Sequence, residues 1–295
     1  MAYDYNIAAR TLLVTLQVSQ WSARREDKRE TADITSKHNA KARAARVNKS
    51  LFPSCNELAD IHKATSELRK YVMRVSLPWL NSGQRIIKSS EYMNVTQGIA
   101  KRKAKWEGLV NKFLADYDNH VARAAYDLGT LYDADDYPTA GRVRQMFGIH
   151  ATFSPVPTAS DFRVSMSNEH LDKIKADLEE ATRAQINDSM FDAYSRLRDV
   201  LSHAAEKLLT KDAIFRNSLV ENVREVCDTI DALNITNDPR LTKLAKEMGG
   251  LFDRWDVKDI RKDEDVRTIV GDKAKSAVAE VDKIMGAFGA FMGNE

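Results

Sequence analysis

Two long runs of apolar residues at three- and four-residue spacing constrain this chain most. Trp106, Val110, Phe113, Tyr117, Val121, Ala124, Leu128 and Leu131 form the first. Leu171, Ile174 and Leu178 open the second, and Met190, Tyr194, Leu197, Leu201, Ala204 and Leu208 continue it. That spacing is close to the 3.5-residue repeat of long helices packed side by side, the pattern of a coiled coil. Forty residues of helix reach roughly 60 Å at 1.5 Å per residue. The simplest fold pairs the two runs as an antiparallel hairpin. With only 12 Gly and 6 Pro in 295 residues, breakers are too scarce for a many-stranded sheet protein.

Shorter signals surround the hairpin. Leu12, Val14, Leu16 and Val18 alternate with their neighbours, which predicts a strand near 11–19 buried mainly on one face. Further strands are expected near 84–88 and 150–166, the last including Asp161 to Met166, and together these make one small sheet at an end of the hairpin. Ser36 to Asn48 reads as an exposed basic helix, and Asn56 to Val75 as an amphipathic one that stops before Pro78. In the C-terminal third, Phe215 to Leu233 has an apolar face. Asp238 is placed to cap a helix whose first residue is Pro239 and which Gly249-Gly250 ends. A last helix starts near Asp263. The expected fold is mainly α with a small β element (α+β), divided into 1–210, the hairpin with its sheet, and 211–295, a helical region packed on it.

Chemistry-bearing motifs are scarce. Cys55 and Cys227 are far apart, with no CxxC or Cys/His cluster in sequence, and read as reduced thiols. The six histidines form no HExxH pair. Asp133, Asp135 and Asp136 lack the spacing and central Gly of a calcium loop. Asp116 and His120 stand one helical turn apart, a spacing far commoner on exposed helix faces than at acid–base sites. No phosphate-binding GxxxxGK[ST], dinucleotide GxGxxG or hydrolase GxSxG occurs. No catalytic residue, metal or cofactor is therefore expected. With no leader and no apolar run of membrane-span length, the expected location is the cytoplasm, and no membrane partner is expected.

Charge is the stronger functional signal. The net charge is +2, yet 34–112 holds 16 Lys+Arg against 5 Asp+Glu, and 113–200 holds 9 against 15. Lys37, Lys41, Arg43, Arg46 and Lys49 follow one another with no acidic residue between Ile34 and Ser50. Lys101, Arg102, Lys103 and Lys105 form a second cluster beside Trp106. These nine cations are the candidate nucleic-acid-binding residues, with phosphates as their targets and Trp106 as a stacking surface. The competing reading is a solvated face with Trp106 in the core. At the C-terminus, Ile284, Met285, Phe288 and Phe291 lie in a glycine-spaced apolar tail. It reads either as a fraying core helix or as a docking segment for a partner.

Phe113-Leu114-Ala115-Asp116-Tyr117-Asp118, Asp136-Tyr137-Pro138, Phe153 to Pro157 with Asp161-Phe162-Arg163, Phe215 to Asn222 and Leu233 to Pro239 occur in an order that resembles an uncharacterised family of tailed phages, prophages and integrative elements. The resemblance covers most of the chain and carries over no functional residue. Members tend to be encoded near a MoxR-type AAA+ ATPase, and sometimes near annealing and exonuclease genes. It implies a non-enzymatic accessory protein, working in phage DNA metabolism or beside a chaperone-like ATPase in the host cytoplasm. The alternatives are a structural or assembly protein of the particle, and an enzyme with an unfamiliar site. The expected partners are another protein, either that ATPase or a second copy in an oligomer, and DNA held without sequence preference.

Overall fold

A computed structural model describes residues 7–80, 83–158, 168–211 and 213–292. The short helix α1 (Ile7–Arg10) runs into strand β1 (Thr11–Ser19), followed by β2 (Arg24–Glu26), α2 (Lys28–Lys37) and β3 (Asn48–Ser50). Then come α3 (Asn56–Arg74), β4 (Leu77–Trp79), β5 (Gln84–Lys88), α4 (Tyr92–Ala115), α5 (Tyr117–Leu128), α6 (Ala140–Gln145) and β6 (Gly148–Pro155). Five helices finish the chain: α7 (Asn168–Leu209), α8 (Ser218–Leu233), α9 (Pro239–Asp253), α10 (Val257–Lys262) and α11 (Glu264–Met292). The fold is mainly α with a small antiparallel sheet, as expected.

These elements make two compact units. The larger consists of 1–15, 72–96 and 152–295, and the smaller of 16–71 and 97–151. The expected cut near residue 210 falls inside the larger unit, because helices from both sides of it share one core.

In the larger unit, Met190, Tyr194, Leu197, Leu201 and Ala204 have no exposed surface, so the α7 periodicity marks a true core face. The partner of that face is not the expected one. α7 packs most extensively along α11, and α8 and α9 complete the layer. The run 106–131, predicted to pair with α7, belongs to the smaller unit. Small residues explain the choice of partner. A Cβ at Gly271 of α11 would lie 2.7 Å from Leu209 Cδ2, so any larger residue would force the Leu209 side chain to shift. Ala274 and Ala277, both buried, continue the same thin stripe.

The polar ends of these helices are satisfied locally. Arg267 of α11 donates to the carbonyls of Leu208, Lys207, Thr210 and Ala213 at 2.9–3.2 Å, which pairs the last carbonyls of α7 with a cation. Asp238 caps α9 by accepting from the Arg240 backbone N–H, with Pro239 opening the helix. Gly249-Gly250 does not end α9, which continues to Asp253. Gly249 instead sits where a Cβ would come within 3.3 Å of Cys227 Cβ on α8.

The four-stranded sheet has the order β4-β5-β1-β6. Leu13 lies opposite Ile86, and Ile86 opposite Leu77, so three side chains of the core meet in one row. Pro78 is tolerated because β4 is an edge strand. β1 differs from expectation in one respect: Leu13 and Val14 point to opposite faces and both are buried, so the strand is covered on both sides. The expected sheet members at 11–19, 84–88 and 150–155 are present, while Asp161 to Met166 lies outside the described residues.

Candidate functional site

The nine candidate cations all fall in the smaller unit, which holds 20 Lys+Arg against 14 Asp+Glu. The remainder of the chain holds 25 against 29, so the charge asymmetry follows the structural division. Their surroundings differ from the sequence expectation.

Ser36 to Asn48 is not a helix. α2 ends at Lys37, Asn39 takes a φ of 50°, and 39–47 forms a loop between α2 and β3. Alanine content favours helix, but two buried threonines hold this segment otherwise. Thr35 O accepts from Ala40 N at 2.8 Å, and Thr31 Oγ1 accepts from Val47 N at 3.0 Å. The β2–β3 ladder clamps the base, pairing Arg25 with Lys49. Lys37 at the end of α2 and Lys41 and Arg43 on the loop are exposed, and their side chains have no partner among the described residues.

Arg46 is exposed but pairs with Glu26 at 3.3 Å. Lys49 is buried and cannot meet a phosphate. Its Nζ donates to Leu131 O at 2.6 Å and lies 2.8 Å from Asp136 and 3.5 Å from Asp27. Burial works to lower the Lys49 pKa, but the Asp136 and Asp27 carboxylates hold it above the ordinary lysine value. Asp136, set aside above as a false metal loop, is therefore an internal counter-ion.

In the second cluster, Trp106 is a core residue and not a stacking platform. It is 3% exposed, and its indole N–H donates to Thr65 Oγ1 at 2.9 Å. Lys105 pairs with Glu67 at 2.9 Å and Lys103 with Glu107 at 3.8 Å. The Arg102 guanidinium lies 3.7 Å from the centroid of the Tyr71 ring. Lys101 alone of the four is exposed without a side-chain partner among the described residues.

The docking expectation for the tail also changes. Ile284 is buried and Met285 packs against the core of the larger unit. The side chains of Phe288 and Phe291 lie outside the described residues.

Sequence reasoning passed over a different site. The predicted continuous helix through 106–131 breaks at Asp116, whose ψ of 15° separates α4 from α5. The break brings His120 of α5 to the head of α3, where Cys55 and Glu57 stand. Cys55 Sγ is 3.9 Å from His120 Nε2 and 3.8 Å from Glu57 Oε2. Asp116 Oδ2 lies 3.8 Å from the same Nε2. These groups line a pocket of about 350 Å³. Behind it the His120 ring stacks on Phe113 at 5.4 Å and meets the edge of Phe52, part of an aromatic cluster with Trp21, Tyr117 and Tyr137.

Burial raises the Cys55 pKa, and the backbone N–H groups of Leu58 and Glu57 at the start of α3 offset this only in part. Glu57 is held below the usual carboxylate range, first by its own backbone N–H and then, against burial, by Lys112. Lys112 Nζ is 3.4 Å from Glu57 Oε1, which leaves Oε2 toward the thiol. Cys55 and His120 are 65 residues apart, and no local motif joins them.

Among the described residues, no helix is long and apolar enough to cross a membrane. Compared with protein-family models, curated proteins and solved structures, the chain matches none.

Proposed function

We propose that this chain is a non-enzymatic accessory protein that works by binding, and that the loop after α2 holds the phosphate backbone of nucleic acid. The observation that supports this is the braced loop carrying Lys41 and Arg43, with Lys37 at the end of α2, all three exposed and without a partner among the described residues, on the net-basic unit. Phosphate contacts of that kind position a protein on DNA without reading sequence. The resemblance to the phage family supplies the setting, DNA metabolism or service beside an AAA+ ATPase.

The internal pairing of Arg46, Lys49, Lys103 and Lys105 makes the interface smaller than nine cations imply. With Lys101 added, about four contacts remain. Affinity then falls on the order of 10²-fold between 50 and 200 mM salt, from a slope of roughly 0.9 per contact. Gel shifts on random-sequence DNA across a salt series test this. Replacing Lys37, Lys41 and Arg43 by Glu should weaken binding to every sequence alike and flatten the slope by nearly one unit per cation. Replacing Lys103 and Lys105 should change it little. Absence of any shift at low salt would sink the nucleic-acid reading and leave the loop to an acidic protein partner.

A further inference from the structure

We infer that Cys55, Glu57 and His120 form a binding site for one transition-metal dication of the zinc class. A thiolate sulfur, an imidazole nitrogen and a carboxylate oxygen are the three donor types that such an ion takes from proteins. Here the three donor atoms lie within 4.8 Å of one another. Bond lengths of roughly 2.0–2.3 Å at tetrahedral angles put donors about 3.4–3.6 Å apart. The observed sulfur–nitrogen and sulfur–oxygen distances of 3.9 and 3.8 Å need only a few tenths of an ångström of closure.

The supports of the three donors suit a metal. Cys55 precedes the first turn of α3 and Glu57 lies within it, so the backbone sets their spacing. His120 is fixed by the Phe113 stack, which also closes one side to water. Lys112 takes one oxygen of Glu57 and leaves the other free to coordinate. The pocket admits a water as fourth ligand. Arg123, which lines the pocket, is drawn to Asp127 at 3.8 Å. A dication would also stabilise the half-buried Cys55 as thiolate, with the thiol proton released to solvent on binding.

The same geometry argues against a nucleophilic relay. In a Cys–His–carboxylate triad the thiol and the carboxylate use opposite nitrogens of the ring. Here Cys55 and Asp116 both lie nearest Nε2, so this carboxylate is not on the opposite nitrogen from the thiol.

Cobalt(II) added to the purified, reduced full-length chain provides the test, because thiolate ligation gives a near-ultraviolet charge-transfer band and tetrahedral geometry gives intense visible bands. Both should saturate at one equivalent and disappear when zinc is added. Cys55→Ser should abolish the charge-transfer band, His120→Ala should weaken binding at least tenfold, and Cys227→Ser should change nothing. Zinc should raise the melting temperature of the wild type and not of Cys55→Ser. No bands from folded wild-type protein would overturn the proposal, as would bands that survive Cys55→Ser. The outcome is independent of DNA binding.

Discussion

Asp238 is where the larger unit should be most sensitive to a single polar change. Its side chain is 5% exposed and accepts four hydrogen bonds: from Arg240 N and Nε at 3.0 Å, from Arg240 Nη2 at 2.6 Å and from Tyr194 OH at 3.0 Å. Asn234 brackets its backbone, accepting from Asp238 N and donating to Asp238 O at 2.8 Å each. Asp238→Ala removes the α9 cap, about 1 kcal/mol, and takes an acceptor from the fully buried Tyr194 hydroxyl, a further 1–3 kcal/mol. The expected loss at neutral pH is therefore about 2–4 kcal/mol. Asp238→Asn keeps the cap acceptor and the volume and should cost about half as much. Burial acts to raise the Asp238 pKa, but the bonds from Arg240 and Tyr194 outweigh it and hold the carboxyl below its ordinary value. The unfolded chain thus takes up this proton first as the pH drops. The stabilisation is complete above the unfolded pKa of about 3.9 and is lost as the pH falls through it toward the folded value. Urea unfolding of wild type and Asp238→Asn between pH 6 and pH 3 measures this, since asparagine does not titrate. The stability gap should narrow toward acid. A gap constant over that range would refute the assignment, and a widening one would reverse its sign.

Leu197→Ala should cost about 2–5 kcal/mol in urea unfolding, because Leu197 is fully buried in the α7 core, whereas Leu128→Ala should cost clearly less, because Leu128 is half-buried at the end of α5. Arg267→Ala should cost about 1–3 kcal/mol by freeing the terminal carbonyls of α7, and Arg267→Lys should recover only part of it, since one ammonium cannot reproduce the fork; the same urea midpoints would show this.

Local chemistry made much of the fold readable. The α7 face, the β1 and β5 strands and the Asp238-Pro239 start of α9 each depend on residues within a few positions of one another, so the sequence displays their cause. What failed was pairing. A 3.6-residue period identifies the buried face of a helix but not what covers it. The signal for the true partner of α7 was the narrow stripe Gly271, Ala274 and Ala277 on α11, where small side chains permit close approach. Large apolar residues drew attention to 106–131 instead.

The same limit hid the burial of Lys49 and the cluster around Cys55. Lys49 looked like surface because its counter-ion Asp136 is 87 positions away, and a lone lysine in sequence carries no mark of burial. Cys55 and His120 looked inert for the same reason. The decisive event is the break at Asp116, and the three- and four-residue spacing runs straight through it: Phe113, Tyr117 and Ala124 are all buried on either side. Apolar periodicity survives the break because the same aromatic core lies along both halves. Only the polar residues register the change of direction, since α5 presents His120 to the start of α3 while Phe113 backs its ring. A helix continuing without the break would have matched the sequence equally well and would have left Cys55 without a neighbouring histidine. The metal site is thus a property of the bend, and measuring cobalt binding tests the bend as directly as it tests the ligands.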